Sequence, residues 1–527
     1  MLDKELQPKY FYPVLIVISY LLLSANIGGS SIYILDEAKN SECAREMLDR
    51  GDWVVPTFNY ELRTDKPPLH YYFMMMGYTI FGANEFGARF FSSVFGVLTI
   101  LITFFYMRKF YGFRMALLTV IILLSSLHFL LEFHLAVPDP YLIFFMTLAY
   151  FSFYDFYRFG KKNALFLLYL AIGLGTLAKG PVAIALPGLV FLIFLLLRKG
   201  KQWTLIKSYK PLWGALLVLA INVPWYYMVG VETNWEWIRG FFLEHNINRF
   251  VDTKHGHGGF FLMTPAYVFL GMLPFAVFMV QAMYRNSKIF RSDDFMTYSF
   301  LIAVIIIVFF TISGTKLPNY TIPAYPFLAA IIAYFLTMQA NPRKKWPFYL
   351  HLFFAIVMPL LLFGAFHYEE TLSHLKPLAS WFAVLPAAAV IALIFQYRNQ
   401  FKNAINSLIF GWIAASMLFF FIIYPEMDEE NPVYKTYQEI DLNEKNVAYF
   451  GKFNPAYVFY LKRKVPELKN PGEVKTFLEK EDAVVLTIKR KLKNLKNVDT
   501  KQVLLKQKDL FEIPTTVVLV SKENDQP

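Results

Sequence analysis

Cysteine occurs once in this chain, at Cys43, so no intrachain disulfide can form and thiol usage does not disclose the compartment. Charge is also scarce. Asp, Glu, Lys and Arg make up 17% of the 527 residues, against about 25% in an average soluble domain. No internal repeat or low-complexity tract stands out, which argues against a transporter built from paired repeats. The C-terminal 100 or so residues contain no metal, phosphate-loop or nucleophile motif. That favours support or partner contact there over chemistry.

What is abundant is apolar surface: 56% of residues are hydrophobic and 18% aromatic. Windows of about 20 apolar residues, each able to cross about 30 Å of hydrocarbon, recur from residue 11 to residue 424. Thirteen are readable, with a split at Lys179 between the windows 163–178 and 180–197. Loop charges support that count. With the N-terminus inside, Arg108, Lys109 and Arg114, then Arg158, Lys161 and Lys162, then Arg198, Lys199 and Lys201 all fall on the inner side. The net charge of +12 therefore belongs to inner loops and anionic headgroups rather than to nucleic acid, which is excluded as a partner. From residue 426 onward, 18 Lys and Arg stand against 17 Asp and Glu. The first apolar window lacks a clean small-residue cleavage site, so it reads as a retained span rather than a signal peptide.

The expected fold class is a polytopic α-helical membrane protein with a small C-terminal α/β domain. The transmembrane body covers residues 1–425, including an outer loop at 36–86, and the outer-face domain covers 426–527. In that domain "NVAYFG", "AYVFYL", "AVVLTIK" and "TTVVLV" read as strands, and "GEVKTFLEK" as a helix or loop. In the outer loop, Cys43, Ala44, Met47 and Leu48 are spaced as one face of a helix, with Gly51 as its stop. "PLHYYFMMMGYTIFG" has no fixed charge and many aromatics, which fits a helix lying in the membrane interface. Pro-rich stretches such as "KLPNYTIPAYP" look like shaped helix entrances, because proline fixes φ and removes a donor.

Ionisable groups gather on the outer side. Asp36 and Glu37 follow the first span, and Asp65 and Lys66 lie in the first outer loop. Glu132, His134 and Asp139 bracket the next. Glu244, His245, Asp252, His255 and His257 share another, and Lys316 begins a further one. Charges beside hydrocarbon are costly unless wet, paired or functional. Each also has a plainer reading: hydrated boundary charge, a surface ion pair for Asp65–Lys66, a solvated turn for "HGHGG", or a helix cap for "EHNINRF".

The segments "LDEAKNSECAREML", "GDWVVPTFNYELRTDKPPLHYY", "FHLAVPDPYLIFF", "LAKGPVA", "FFLEHNINRF" and "SGTKLPNYTIPAYP" carry a resemblance, over roughly residues 10–340. Together they resemble the membrane glycosyltransferases that use polyprenyl-phosphate-linked sugars, in particular the bacterial lipid A aminoarabinose transferases, which are related to protein O-mannosyltransferases. The resemblance implies a GT-C-type fold of about thirteen spans, placed in the bacterial inner membrane with its active site and C-terminal domain periplasmic. It implies that Asp36, with Glu37 beside it, supplies the catalytic base, and that Asp139 is a second catalytic aspartate. It puts the acid–lysine pair at Asp65 and Lys66, where the aminoarabinose branch has glutamate in place of Asp65, and the lysine of the "KLP" segment at Lys316. A divalent cation, zinc or magnesium, is implied at Asp65 with His245 or His255.

Chemistry gives these residues work independently. Breaking a sugar–phosphate bond leaves anionic phosphate, which Lys66, Lys316 and Arg63 can stabilise. The attacking hydroxyl loses a proton, and a carboxylate within one hydrogen bond can take it. Direct displacement would invert the anomeric centre. Asp65, Glu244, His245, Arg249 and Tyr320 complete the expected substrate-binding set. The expected partners are membrane lipids, an undecaprenyl-type donor as substrate, and lipid A, a protein or another envelope glycan as acceptor. The chain is expected to act as a monomer. A lipid-linked sugar transporter or flippase is the rival from another class; it would favour charges deep inside spans.

Overall fold

The computed structural model of the chain describes residues 8–198, 202–247, 260–288, 292–339, 344–499, 501–510 and 514–521. Helices dominate, and the chain is polytopic. Among the described residues, seven helices are long and apolar enough to cross a membrane, or nine if two bent pairs each form one span. The bent pairs are Phe113–Leu124 with Leu127–Phe133, and Met263–Gly271 with Ala276–Lys288; Phe11–Leu23 and Val182–Leu196 are shorter apolar helices. Helix α1 (Pro8–Leu23) leaves Val14, Val17 and Leu21 exposed, as a lipid-facing helix requires. The apolar run through Lys179 is two helices, Lys162–Lys179 and Val182–Leu196. Gly180 separates them with φ of 86°, and a Cβ there would lie 2.6 Å from the Phe241 ring, so glycine is required on both counts.

The first loop after α1 is built from local signals. Helix α2 (Leu35–Arg50) has Asp36 and Glu37 in its first turn, where the helix dipole favours negative charge. It ends at Gly51, which is left-handed at φ of 64°. The N–H groups of Gly51 and Asp52 return to the carbonyls of Leu48 and Met47, closing the helix as the sequence indicates. A short antiparallel hairpin follows, β1 (Thr57–Phe58) and β2 (Glu61–Leu62). Glu46 of α2 secures it by accepting from the Thr57 hydroxyl and the Tyr60 N–H. The hairpin turns the chain back so that Arg63, Asp65 and Lys66 meet the start of α2. After Pro67 and Pro68 the chain enters α3 (Leu69–Phe81), which packs tightly on α4 (Glu85–Tyr111). A Cβ on Gly77 would come within 2.1 Å of the Gly87 carbonyl oxygen, so a side chain there would force the two helices apart.

The C-terminal region forms a four-stranded sheet in the order β3 (Asn446–Tyr449), β4 (Ala483–Ile488), β6 (Thr515–Ser521), β5 (Lys501–Lys508). The β3–β4 pair is parallel and the other two pairs are antiparallel. All six residues of β4 are buried, which explains its continuous apolar run. One sheet face, with Val484, Leu486 and Val518, joins a core that contains Ala38, Ala44 and Met47 of α2. The other face, with Val485, Val517 and Leu519, is covered by Val474, Leu478, Leu495 and Val498. One strand reading is corrected: "AYVFYL" is a helix, Ala456–Leu461. Asn454 Oδ1 accepts the Ala456 N–H and starts the turn, and burial of nearly all its residues erases the polar face that would have marked a helix. Strand β5 was not among the expected ones, because its lysines interrupt the apolar pattern; they suit its position at a sheet edge.

Candidate active site

The hairpin and the start of α2 bring three charges together. Asp36 Oδ2 lies 3.6 Å from Lys66 Nζ, and Asp36 Oδ1 lies 3.9 Å from Arg63 Nη2. Arg63 Nε also bonds Asp65 Oδ2 at 3.2 Å. The exposures differ sharply. Asp36 keeps 52% of its side chain in the open, while Lys66 keeps 8% and Arg63 5%. Burial opposes the charge on Arg63, but Tyr71, Asp65, Cys43 and Asp36 outweigh it and hold the guanidinium above its ordinary pKa. Its Nη1 and Nη2 are buried without a hydrogen-bond partner among the described residues. Its carbonyl accepts the Trp237 indole N–H at 2.9 Å, which ties the segment to the helix after a later span. The site thus contains two sequestered cations beneath one accessible carboxylate.

Beside this cluster is a cavity of about 250 Å³. Asp65, Lys66, Asp139, Lys179, Asn319 and Tyr320 supply its polar lining, and Leu142, Val182, Phe241, Phe309 and Phe310 are among its apolar walls. Asp139 opens the helix Asp139–Phe159 and forms an ion pair with Lys179, the last residue of Lys162–Lys179. Lys179 Nζ also sits 5.0 Å from the centre of the Tyr320 ring, a cation–π arrangement. Lys316 donates to the Ser313 carbonyl at 2.9 Å, and its segment contributes Ser313 and Thr315 to the wall. A lining that combines charged groups with apolar walls suits an amphipathic ligand.

Glu37 is placed differently from its neighbour. It is fully buried, and Arg89 of α4 grips both its oxygens, at 2.7 and 2.9 Å. The Ala136 N–H donates to the same carboxylate at 2.8 Å. Arg89 also donates to the carbonyls of Ile27, Ser30 and Ser31, so this pair fastens the start of α2 to the bundle. The geometry gives Glu37 a holding position rather than access to a substrate. His134 is likewise enclosed: its ring stacks on Phe420 at 3.7 Å and its nitrogens meet the carbonyls of Leu130 and Ala25.

Glu244 lies exposed in the π-helical turn Gly240–Ile247. The His245 side chain, Arg249, Asp252, His255 and His257 lie outside the described residues, and with them the proposed cation ligands other than Asp65. Among the described residues no three His, Cys, Asp or Glu side chains cluster as a metal site. Sequence reasoning missed Lys179 and Arg89 as partners of site residues. Lys179 carried one signal, a lone lysine between two apolar runs; Arg89 carried none.

The profile of the dolichyl-phosphate-mannose-protein mannosyltransferase family matches residues 36–237, the stretch that holds Asp36, Lys66, Asp139 and Lys179. An undecaprenyl phosphate-alpha-4-amino-4-deoxy-L-arabinose arabinosyl transferase of Edwardsiella ictaluri is 28% identical over 349 residues, 65% of this chain and 62% of that one. An uncharacterised protein of Aquifex aeolicus is 28% identical over 472 residues, 88% of this chain and 89% of its own. Among solved structures, ArnT of Cupriavidus metallidurans bound to undecaprenyl phosphate superposes with a TM-score of 0.79 at 21% identity, covering 97% of this chain and 98% of that one. The chain shares the ArnT fold, and its sequence is similar to that of an undecaprenyl phosphate-linked arabinosyl transferase. Its architecture is therefore the GT-C membrane fold with a small C-terminal domain, as expected from the sequence.

Proposed function

We propose that this chain is a membrane glycosyltransferase that moves a sugar from a polyprenyl-phosphate donor, of the undecaprenyl type, to an envelope acceptor, with lipid A as the favoured acceptor. The observation that carries the reading is the pairing of exposed Asp36 with buried Lys66 and Arg63, with Lys66 also lining a cavity of mixed polar and apolar walls. The donor phosphate meets the two cations, and the Arg63 Nη groups gain hydrogen bonds. The acceptor O–H attacks the anomeric carbon, its proton passes to Asp36, and the carbon–oxygen bond to phosphate breaks with the electron pair staying on phosphate. No covalent enzyme intermediate is needed, so the anomeric configuration inverts. Asp139, held by Lys179, and Tyr320 contact the sugar or the acceptor.

The same reading includes thirteen spans, a transmembrane body to residue 425 and a periplasmic domain from 426. It places the protein in the bacterial inner membrane with the site on the periplasmic side. The loop charges, and the break between Lys179 and Val182, support that parity.

The test is purified protein with a polyprenyl-phosphate sugar and lipid A. Release of polyprenyl phosphate with a matching mass gain on lipid A is expected. A mass gain on glycopeptides alone would move the acceptor to protein, the acceptor class in the name of the matched mannosyltransferase family. Transport of the donor in sealed vesicles without a new glycosidic bond would overturn the enzyme reading.

A further inference from the structure

Half of the Asp36 side chain is open, so its placement depends on its backbone as well as on its ion pairs with Lys66 and Arg63. The C-terminal region holds the backbone that enters α2. Ser31 donates its N–H and its hydroxyl to Asp428, at 2.5 and 2.8 Å, while Asn431 Nδ2 donates to the Ser31 hydroxyl oxygen at 3.0 Å. The Ile32 N–H donates to the Tyr460 hydroxyl at 2.8 Å, and that hydroxyl donates onward to Glu85 at 2.7 Å. The Tyr33 hydroxyl donates to Asp509 and accepts the Leu510 N–H at 2.9 Å.

Three consecutive residues are therefore gripped by side chains from residues 428–510, while Arg89 grips the carbonyls of Ser30 and Ser31 and the carboxylate of Glu37 from the other side. The contacts are sheltered: Ile32, Tyr33, Asp428, Asn431 and Asp509 are all buried. Beyond its first turn, α2 is docked separately, by Ala38, Ala44 and Met47 against Ala456–Leu461 and the sheet. The polar grip is thus not needed to keep α2 in place; what it fixes is the approach to the turn that carries Asp36.

We propose that Asp428, Tyr460 and Asp509 are positioning residues for Asp36, so that the C-terminal region completes the active site. This rests on the transferase reading above and on Asp36 as its base. A base displaced by about 1 Å can lose about a hundredfold in rate.

The experiment compares wild type, Tyr460→Phe, Asp509→Asn, Asp428→Ala and Asp428→Asn in sugar transfer, in donor binding and in thermal unfolding. Tyr460→Phe keeps the ring and removes only the hydroxyl. The expected result is kcat down about 10- to 100-fold, donor affinity within about threefold, and the melting midpoint close to wild type. Asp428→Asn, which retains one oxygen for the Ser31 N–H, should recover part of the loss seen in Asp428→Ala. In an Asp36→Asn background, Tyr460→Phe should add no further loss, because both changes act through one carboxylate. Folded Tyr460→Phe and Asp509→Asn with wild-type kcat would overturn the proposal, and so would losses that multiply in the double variant. A wild type that transfers no sugar would instead sink the transferase reading itself.

Discussion

Asp36 and Lys66 face each other at 3.6 Å with opposite exposure, the acid open and the lysine 8% accessible. A surface pair would expose both partners and contribute little, about 0–1 kcal/mol. Here the cation is kept from water, where an anionic ligand gains most from it, while the carboxylate stays reachable by an incoming acceptor. The asymmetry divides the labour of a transfer reaction between the two residues, and the consequences can be measured one residue at a time.

Lys66→Met removes the buried charge while keeping much of the side-chain volume. A charge-assisted hydrogen bond to phosphate contributes about 1.5–3 kcal/mol, so donor affinity should fall about 10- to 100-fold and turnover should fall with it. Lys66→Arg should retain part of the activity, limited by the different reach of a guanidinium. Donor titration of the three proteins checks this. Equal affinities would return "DKPP" to a structural turn.

Asp36→Asn should act in the opposite way on binding. Loss of a general base costs about 10²- to 10⁴-fold in turnover. Removal of a negative charge next to Lys66 and Arg63 should leave donor affinity unchanged or slightly higher, because the two cations then answer only to the phosphate. Single-turnover rates and donor binding on the same preparation separate the two effects. A parallel loss of both would mean that Asp36 holds the donor instead.

Asp139 and Lys179 form an ion pair at 6% and 14% side-chain exposure. Removing one partner from such a pair strands the other and costs about 3–5 kcal/mol, whereas replacing both with apolar groups can be neutral. Asp139→Leu alone should therefore lower the melting point sharply. Asp139→Leu with Lys179→Met should recover most of that stability while transfer stays abolished, since both groups line the cavity. Recovery of activity together with stability would reduce the pair to a brace.

How far the sequence carried depends on which contacts were local. The stop of α2 at Gly51 and the break after Lys179 are short-range signals, and each was legible, whereas the ion pairs of the "DKPP" segment join Lys66 to Asp36 and Asp65 to Arg63. Asp65, Lys66, Asp139 and Tyr320 were each singled out from family-like segments, and the structure places all four on the wall of one cavity. The commitment of Glu37 to Arg89 was not legible: 52 residues separate them, and no local pattern distinguishes Glu37 from Asp36. Lys179 read as a boundary between spans, and only tertiary packing turns it toward Asp139. The helix Ala456–Leu461 was misread because an element buried on all sides displays neither the period of a strand nor that of a helix.

His70 offers a pH test. It lies in the first turn of α3, outside the spanning helices, and is fully buried. Burial first, then the Arg63 and Lys66 cations, hold it well below its ordinary value of 6.5. A base whose folded pKa is depressed binds protons more readily when unfolded. Its neutral form therefore favours the fold fully above pH 6.5, and that stability is lost as pH falls below 6.5 toward the folded pKa. The melting point should accordingly drop as pH is lowered from 7.5 to 5, a range set to bracket an ordinary histidine near 6.5. His70→Asn, neutral throughout that range, should melt lower at pH 7.5 yet show a flatter slope. A slope equal to wild type would assign the acid sensitivity to another group and leave His70 as packing alone.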